Sequence, residues 1–418
     1  MTAVRVQNVY KIFGEKPEIA LKLLKEGNTK EEVQAETSQV VGVQDVSFQL
    51  KSGELFVIMG LSGSGKSTLL RCINRLVKPT LGEIFIESDG KEIEITSLSQ
   101  KELRLVREKQ MSMVFQHFAL LPHRTVISNV TLGLEIQGVD KKERLHKAKA
   151  ILGLVGLQAW ANSLPSQLSG GMQQRVGLVR SLATEAEILL MDEPFSALDP
   201  LIKVHMQDEL LKLQEKVCRT ILFVTHDLDE ALKIGDKIAI MEDGRIVQSG
   251  TPEEIITNPQ TEYVANFVEY ADPTGVLTAG TIAKTISSDP DQFVDVDMKI
   301  SGVEHSLLAK DSDIIYCMDK DNKPVKGVRE GKTLPIKRLG EKLEGVSSRD
   351  VILAAVEDTT IREIMEARLN ATDNPVIVLS NSEKFKGIIN EREILRGILE
   401  KGRKDKKEKG TREKEGEG

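Results

Sequence analysis

With 418 residues, a net charge of −7, 40% hydrophobic and 29% charged residues, the sequence has room for two or three soluble domains and shows no electrostatic case for nucleic acid. No apolar run approaches the roughly 18 residues of a membrane-spanning helix, and Met1–Val6 has no charged-then-apolar leader pattern. Three widely spaced cysteines, Cys72, Cys218 and Cys317, read as reduced thiols of a cytoplasmic protein, not as a disulfide framework or a metal site.

Val4 to Phe13 alternates weakly and reads as an edge strand; Tyr10 or Phe13 is a candidate for stacking on an adenine ring. Residues 17–38 read as an inserted helical pair. Pro17 opens the first helix and Gly27 stops it, with Ile19, Ala20, Leu23 and Leu24 as the apolar stripe. Thr29 and Glu32 have capping-box spacing for the second helix. The pair is a surface excursion or a docking element. Val43 to Leu50 resumes as a strand.

The apolar run Leu55–Met59, the turn Gly60-Leu61-Ser62-Gly63-Ser64-Gly65-Lys66-Ser67 and the following Thr68-Leu69-Leu70 form strand, glycine-rich loop and helix, the context of a phosphate-binding P-loop. Successive backbone N–H groups and the helix N-terminus converge on an anion there. Lys66 can reach the outer phosphates and the Ser67 hydroxyl can hold Mg²⁺. Gly82–Ile86 reads as a short strand and Lys101–Lys109 as a helix. Met111–Phe115 reads as a buried strand that ends in Gln116, whose amide can bind Mg²⁺ or orient water. The loop 117–122 is unusually apolar.

Residues 125–160 read as mainly helical. In Leu168-Ser169-Gly170-Gly171-Met172-Gln173-Gln174-Arg175, a serine and two glycines open a helix, which by itself reads as an ordinary N-capped helix or as a second anion-binding terminus suited to a neighbour's nucleotide. Ile188–Met191 is an apolar strand ending in Asp192 and Glu193. Set beside the P-loop strand, Asp192 can hold Mg²⁺ through water and Glu193 can act as base for an attacking water. Ser196–Pro200 forms a turn, and Met206, Leu210 and Leu213 stripe the next helix. Thr220–Thr225 is another apolar strand, with His226 at its carboxyl end for a γ-phosphate contact. Ile238–Met241 and Arg245–Val247 flank an Asp243-Gly244 hairpin turn.

A helix near Tyr263–Val268 closes the first domain, and 271–280 reads as a linker. Beyond it, Ile315–Val328 aligns with Pro375–Ile388: each copy reads strand, polar turn, strand, and the second continues into a helix at Glu391–Leu399. The tail 401–418 interleaves charge and glycine without an apolar anchor and reads as disordered.

Taken in order, these loops resemble those of the ATP-binding subunit of ABC transporters. Gly60–Ser67 is similar to the Walker A loop, Gln116 to the Q-loop, Leu168–Gln173 to the signature, Ile188–Glu193 to the Walker B strand, Ser196–Asp199 to the D-loop and His226 to the switch histidine. Met172 stands where the signature usually has Gln. That form, with the insertion at 17–38 ahead of Val41-Gly42-Val43, resembles the glycine betaine/proline uptake subfamily. The repeat after 275 resembles a tandem pair of CBS modules, of which Gly387–Glu393 belongs to the better match and the first copy is degenerate.

The resemblance implies an α/β fold: an ABC-type P-loop ATPase domain over 1–270, with the insertion near 17–38, then a tandem CBS module over 281–400. It implies ATP and Mg²⁺ as ligands. Glu193, His226, Gln116 and Lys66 would be catalytic, and Ser67, Gln116 and Asp192 would surround the metal. Phe13, Gly60, Ser62, Gly63, Ser64, Gly65, Lys66, Ser67 and Thr68 would hold one nucleotide. Ser169, Gly170, Gly171 and Gln173 would close over the partner's.

The implied partners are a second copy of the chain, head to tail, separate transmembrane permease subunits and an extracytoplasmic substrate-binding protein. No nucleic acid is expected. The place is the cytoplasmic face of the cell membrane. The coupling helices of the permease would meet the loop around Phe118–Leu121. The implied cargo is a quaternary-ammonium osmolyte, glycine betaine first, with choline, carnitine or proline as alternatives, under regulation through the CBS pair. A non-transport ABC ATPase is the rival from another class. It fits less well, because such proteins usually carry two ATPase halves or a long coiled coil.

Overall fold

The computed structural model describes residues 2–88, 90–115, 119–184, 186–284, 307–311, 314–319, 321–329, 332–341 and 350–400. The chain forms two compact units, Met1–Ile255 with Pro259–Glu269, and Ile256–Asn258 with Tyr270–Gly418.

Two sheets build the first unit. Strands β1 (Thr2–Phe13), β2 (Val40–Lys51), β3 (Leu55–Met59), β4 (Leu81–Ser88), β5 (Lys91–Glu94), β6 (Met111–Val114), β7 (Ile188–Asp192), β8 (Thr220–Thr225), β9 (Lys237–Glu242) and β10 (Arg245–Gly250) occur in chain order. An antiparallel sheet has the order β2-β1-β4-β5, and the other sheet the order β10-β9-β3-β8-β7-β6. In the latter, β9, β3, β8, β7 and β6 run parallel, and β10 is antiparallel to β9. Such strands are covered on both faces, so unbroken apolar runs suit them. Every residue of β3, β7 and β8 is buried.

β1 is not an edge strand, because β2 and β4 pair with it on either side. β7 does not lie beside the P-loop strand β3, because β8 pairs with both.

The helix Lys66–Ile73 links the sheets. Its Leu69, Leu70, Cys72 and Ile73 share one core with Val4, Val6 and Ile84 of the antiparallel sheet and Phe56, Ile58 and Leu190 of the parallel one. Burial pushes the Cys72 thiol up to about 12, so this thiol is inert packing. The inserted helices Pro17–Lys25 and Lys30–Thr37 form as the spacing predicts, the second with its Thr29–Glu32 capping box. Their stripe differs by one position: Ile19 is exposed, whereas Leu21 packs beside Ala20, Leu24 and Val33 against Tyr10, Ile12 and Val41.

In the second unit, β11 (Leu307–Asp311), β12 (Ile314–Met318), β13 (Pro324–Arg329), β14 (Lys332–Arg338), β15 (Ile352–Val356), β16 (Val376–Leu379) and β17 (Phe385–Ile389) pair in that order. One core holds Leu353, Ala355, Val376, Val378 and Ile389 with Ile361, Ile364 and Ile394 of the helices Ile361–Ala371 and Glu391–Glu400. The alternate residues Ile352, Ala354, Ile377, Leu379 and Ile388 join a second core with Tyr316 and Leu334.

The two repeat copies are the hairpins β12–β13 and β16–β17. They meet at their tips, where the Phe385 N–H donates to the Asn322 carbonyl at 2.9 Å. The stretch 271–280, expected as a linker, is built into this unit: Leu277 and Ala279 lie fully in its core. The tail 401–418 lies outside the described residues.

Candidate active site

The carboxyl ends of β3, β7 and β8 place the polar residues of the site, as open parallel sheets place ligand sites generally. β8 pairs with β3 through Met59 and Thr225, and with β7 through Val224 and Asp192. Gly60, Glu193 and His226 each follow one of these strand ends. Two glycines of the loop after β3 leave no room for a Cβ. Gly60 has φ +151°, and a Cβ there would stand 2.2 Å from the Met241 carbonyl. Gly65 has φ +99°, and a Cβ there would stand 2.2 Å from the Gly42 carbonyl.

Neighbours brace the loop. The Gly244 N–H donates to the Ser64 carbonyl at 3.0 Å, and the Leu61 N–H donates to the Tyr263 hydroxyl at 3.3 Å. Ser62 and Gly63 are exposed at the tip, whereas Ser64 is buried with no hydrogen-bond partner for its Oγ.

Lys66 bends back over this loop. Its Nζ donates to the Gly60 and Leu61 carbonyls, both at 2.8 Å. Burial lowers its pKa, against the raising pull of Glu193 and Asp192. A desolvated ammonium held only by carbonyls and nearby carboxylates is ready to trade the carbonyls for phosphate oxygens. Ser67, one residue on, donates from Oγ to Asp192 Oδ1 at 2.7 Å. Asp192 is 1% exposed, and its Oδ2 has no hydrogen-bond partner, with Arg71 Nη2 at 3.6 Å. Burial raises the Asp192 pKa, which the Ser67 hydrogen bond and Arg71 oppose.

Glu193 stands in the left-handed region at φ +48°, and its Oε2 is 3.1 Å from His226 Nδ1. Side chains brace its backbone: Ser196 Oγ donates to its carbonyl at 3.0 Å, and Gln174 Nε2 donates to the same oxygen at 3.4 Å. Gln174 Oε1 also accepts from the Ala197 N–H at 3.2 Å, which ties the helix Gly170–Ala183 to the turn after β7.

Phe13 and Tyr10 separate clearly. Tyr10 is 9% exposed and packs in the core of the insertion, whereas Phe13 is 41% exposed. Lys11 Nζ lies 4.9 Å from the Phe13 ring centroid. A Cβ built on Gly42 would lie 2.9 Å from that ring and 3.1 Å from the Thr68 methyl, so ring and helix start share one spot.

Ser169, Gly170, Gly171 and Gln173 form a separate helix N-terminus. Ser169 Oγ accepts the Met172 N–H at 3.3 Å, and Ser169 and Gly170 are exposed. Gln173 turns inward, donating to the Pro165 and Leu168 carbonyls at 3.0 and 3.2 Å. Gln116 and Phe118 lie outside the described residues.

The structure therefore brings together Lys66, Ser67, Asp192, Glu193 and His226, with Phe13 beside Thr68. Arg71, Gln174 and Tyr263 join them, and no spacing pattern in the sequence gives them a role there.

An ABC transporter family model matches residues 43–196. Over 400 residues the chain is 46% identical to the glycine betaine transport ATP-binding protein OpuAA of Bacillus subtilis, covering 95% of this chain and 91% of that one. It is 43% identical over 406 residues to the glycine betaine/proline betaine transport system ATP-binding protein ProV of Escherichia coli, covering 96% and 98%. Among solved structures it is similar to a dimeric bacterial ABC transporter cassette, at 33% identity and TM-score 0.52, over 60% of this chain and 98% of that one. A dimeric post-hydrolysis cassette bound to ADP and phosphate is also similar, at 34% identity and TM-score 0.51, over 60% and 98%.

Proposed function

The chain belongs to the ATP-binding subunits of ABC importers of the glycine betaine class, and on that premise we propose that ATP hydrolysis at the Lys66–Asp192–Glu193–His226 site drives uptake of a quaternary-ammonium osmolyte. The observation that carries the site assignment is the contact of Glu193 Oε2 with His226 Nδ1 at 3.1 Å, at neighbouring strand ends beside the P-loop. Glycine betaine is the first choice of cargo, since the relatives from Bacillus subtilis and Escherichia coli are named for it. A 46% identical relative from Pelagibacter ubique, named for trimethylamine N-oxide transport, extends the class to other methylated amines.

The ATP triphosphate would lie over the N–H groups of residues 60–68, with Lys66 Nζ moving from the Gly60 and Leu61 carbonyls to the outer phosphates. Phe13 offers an exposed ring for the adenine. Mg²⁺ fits the donor set: Ser67 Oγ and the buried, partly unsatisfied Asp192 carboxylate are hard oxygen donors, and Gln116 completes the proposed set. When bound, the ion neutralises charge that builds on the phosphate oxygens. Glu193 accepts a proton from the attacking water as its oxygen bonds to the γ-phosphorus and the bond to ADP breaks. His226 holds Glu193 in place and faces the γ-phosphate.

Ser169, Gly170, Gly171 and Gln173 would close on the ATP of a second, head-to-tail copy. Among the described residues no helix is long and apolar enough to cross a membrane. Separate permease subunits would then form the path, met by the apolar loop around Phe118–Leu121, and a substrate-binding protein would deliver cargo to them. The chain would sit on the cytoplasmic face of the membrane. Residues 1–270 would be the ATPase domain, and 281–400 a tandem CBS module that regulates it, with hairpins β12–β13 and β16–β17 as the two copies.

Glu193→Gln tests the assignment: it removes the base and keeps the shape. Hydrolysis falls by about 10²-fold or more while Mg–ATP binding persists. Hydrolysis within a few-fold of the parent would reject Glu193 as base.

A further inference from the structure

Beside His226 lies a buried polar network that the hydrolytic roles do not explain. The network begins one strand residue earlier. Thr225 Oγ1 donates to Glu230 Oε2 and accepts the Asp227 N–H at 3.0 Å. Asp227 Oδ1 in turn accepts the Glu230 N–H at 3.0 Å, capping the helix Leu228–Ile234. Glu230 is only 4% exposed, and its Oε1 accepts from Gln207 Nε2 at 3.2 Å.

One cation serves both acids. Lys203 Nζ lies 2.5 Å from Asp227 Oδ2 and 3.6 Å from Glu230 Oε1. Burial alone would lower the Lys203 pKa, but Asp227 and Glu230 raise it on balance. Burial pushes the Glu230 carboxyl up, against Thr225, Lys203 and Gln207. A buried acid at this cost is kept only with paired charge and satisfied oxygens.

Lys203 belongs to a different element from the acids. It sits in the first turn of the helix Pro200–Val217, which starts directly after the turn Ser196–Asp199. Asp199 caps that helix, its Oδ1 accepting the Ile202 N–H at 3.1 Å and its carbonyl accepting the Lys203 N–H at 2.8 Å. A cavity of about 360 Å³ is lined by Glu193, Ser196, Lys203, Thr225, His226 and Glu230, so turn, network and catalytic pair share one space.

We propose that Lys203 is a positioning residue for ATP hydrolysis, one that ties the turn Ser196–Asp199 to His226 through Asp227 and Glu230. The proposal rests on the ATPase site assigned above. Displacement of the turn, as a second copy docks against it, pulls on Lys203 and through the two acids on the residues on either side of His226. The His226–Glu193 contact, 3.1 Å in the single chain, then keeps its productive geometry only while this network holds. A network that merely rivets two helices would contribute stability and leave turnover alone.

The test compares the full chain with Lys203→Met, Lys203→Arg and Lys212→Met. Lys212 is a control on the same helix, exposed and paired with Glu209 at 2.9 Å. Lys203→Met lowers kcat by about 10- to 100-fold with KM for Mg–ATP within about twofold, because a misplaced catalytic pair costs rate and not ground-state binding. Lys203→Arg restores most of kcat, and Lys212→Met matches the parent. A Lys203→Met kcat within about twofold of the parent overturns the proposal.

Should Lys203→Met fail to fold, Lys203→Met/Glu230→Gln removes the uncompensated buried charge and carries the same comparison. The His226 imidazole signal, in nitrogen-15 histidine-labelled chain and assigned with His226→Gln, separates this proposal from the ATPase assignment. It shifts in Lys203→Met, returns in Lys203→Arg and ignores Lys212→Met. An unmoved signal sinks the positioning role even where turnover persists. A parent chain that binds Mg–ATP without hydrolysing it sinks the ATPase assignment instead, and the imidazole signal still decides the role of Lys203.

Discussion

Asp192 shows at the residue scale how the site trades stability for function. Its carboxylate is buried with one oxygen on Ser67 and the other without a hydrogen bond, and burial raises its pKa. A folded-state pKa above the unfolded one means that the native state binds the proton more tightly. No stability is lost well below pH 3.8, and it is lost as pH rises through the folded value. Asp192→Asn keeps an acceptor for Ser67 and removes that burden. At neutral pH it should be more stable than the parent, because burial of the charged carboxylate is the largest cause of its raised pKa and the amide carries no charge. The gap should shrink as pH falls towards 4, and hydrolysis should be lost. Thermal melts of both proteins across that range check this, and equal melting midpoints at every pH would contradict it. Arg71 is half exposed, so losing its partner costs little.

At the element scale, legibility followed local chemistry. The P-loop, the two apolar strands with polar ends and the Asp243-Gly244 turn were readable because each is written in consecutive residues. Strand order was not. A buried apolar run looks the same wherever it lies in a sheet, so the place of β8 between β3 and β7 and the interior place of β1 had no local signal. Arg71, Gln174 and Lys203 escaped for a similar reason, since their partners lie far along the chain and no spacing pattern links them.

The insertion shows the limit of periodicity in a short helix. Ile19 and Leu21 both fit near the stripe, and only packing against Tyr10, Ile12 and Val41 chose Leu21. Leu24 is the anchor of that packing at 5% exposure. Leu24→Ala should cost the insertion about 2–5 kcal/mol. Amide exchange across residues 17–38 should then speed up at least tenfold, with hydrolysis kept. Unchanged exchange would mean that the insertion is held by something other than this cluster.

For the whole molecule, similarity along nearly the full chain joins a local geometry to a transport role. Every group placed around Lys66 belongs to the first unit. The second unit has two faces of packed core and a repeated hairpin. The cores explain why 271–280 is not a free tether: Leu277 and Ala279 are fully buried there. Hydrolysis at Lys66, Asp192, Glu193 and His226 is proposed to power osmolyte import. The most direct measurement is ATP hydrolysis and labelled glycine betaine uptake by the chain assembled with its permease in lipid vesicles, with and without the substrate-binding protein, for the parent and Glu193→Gln. Uptake that follows hydrolysis in the parent, with both lost in Glu193→Gln, is the result predicted. Uptake that survives in Glu193→Gln, or parent hydrolysis indifferent to glycine betaine and without uptake, would contradict the account.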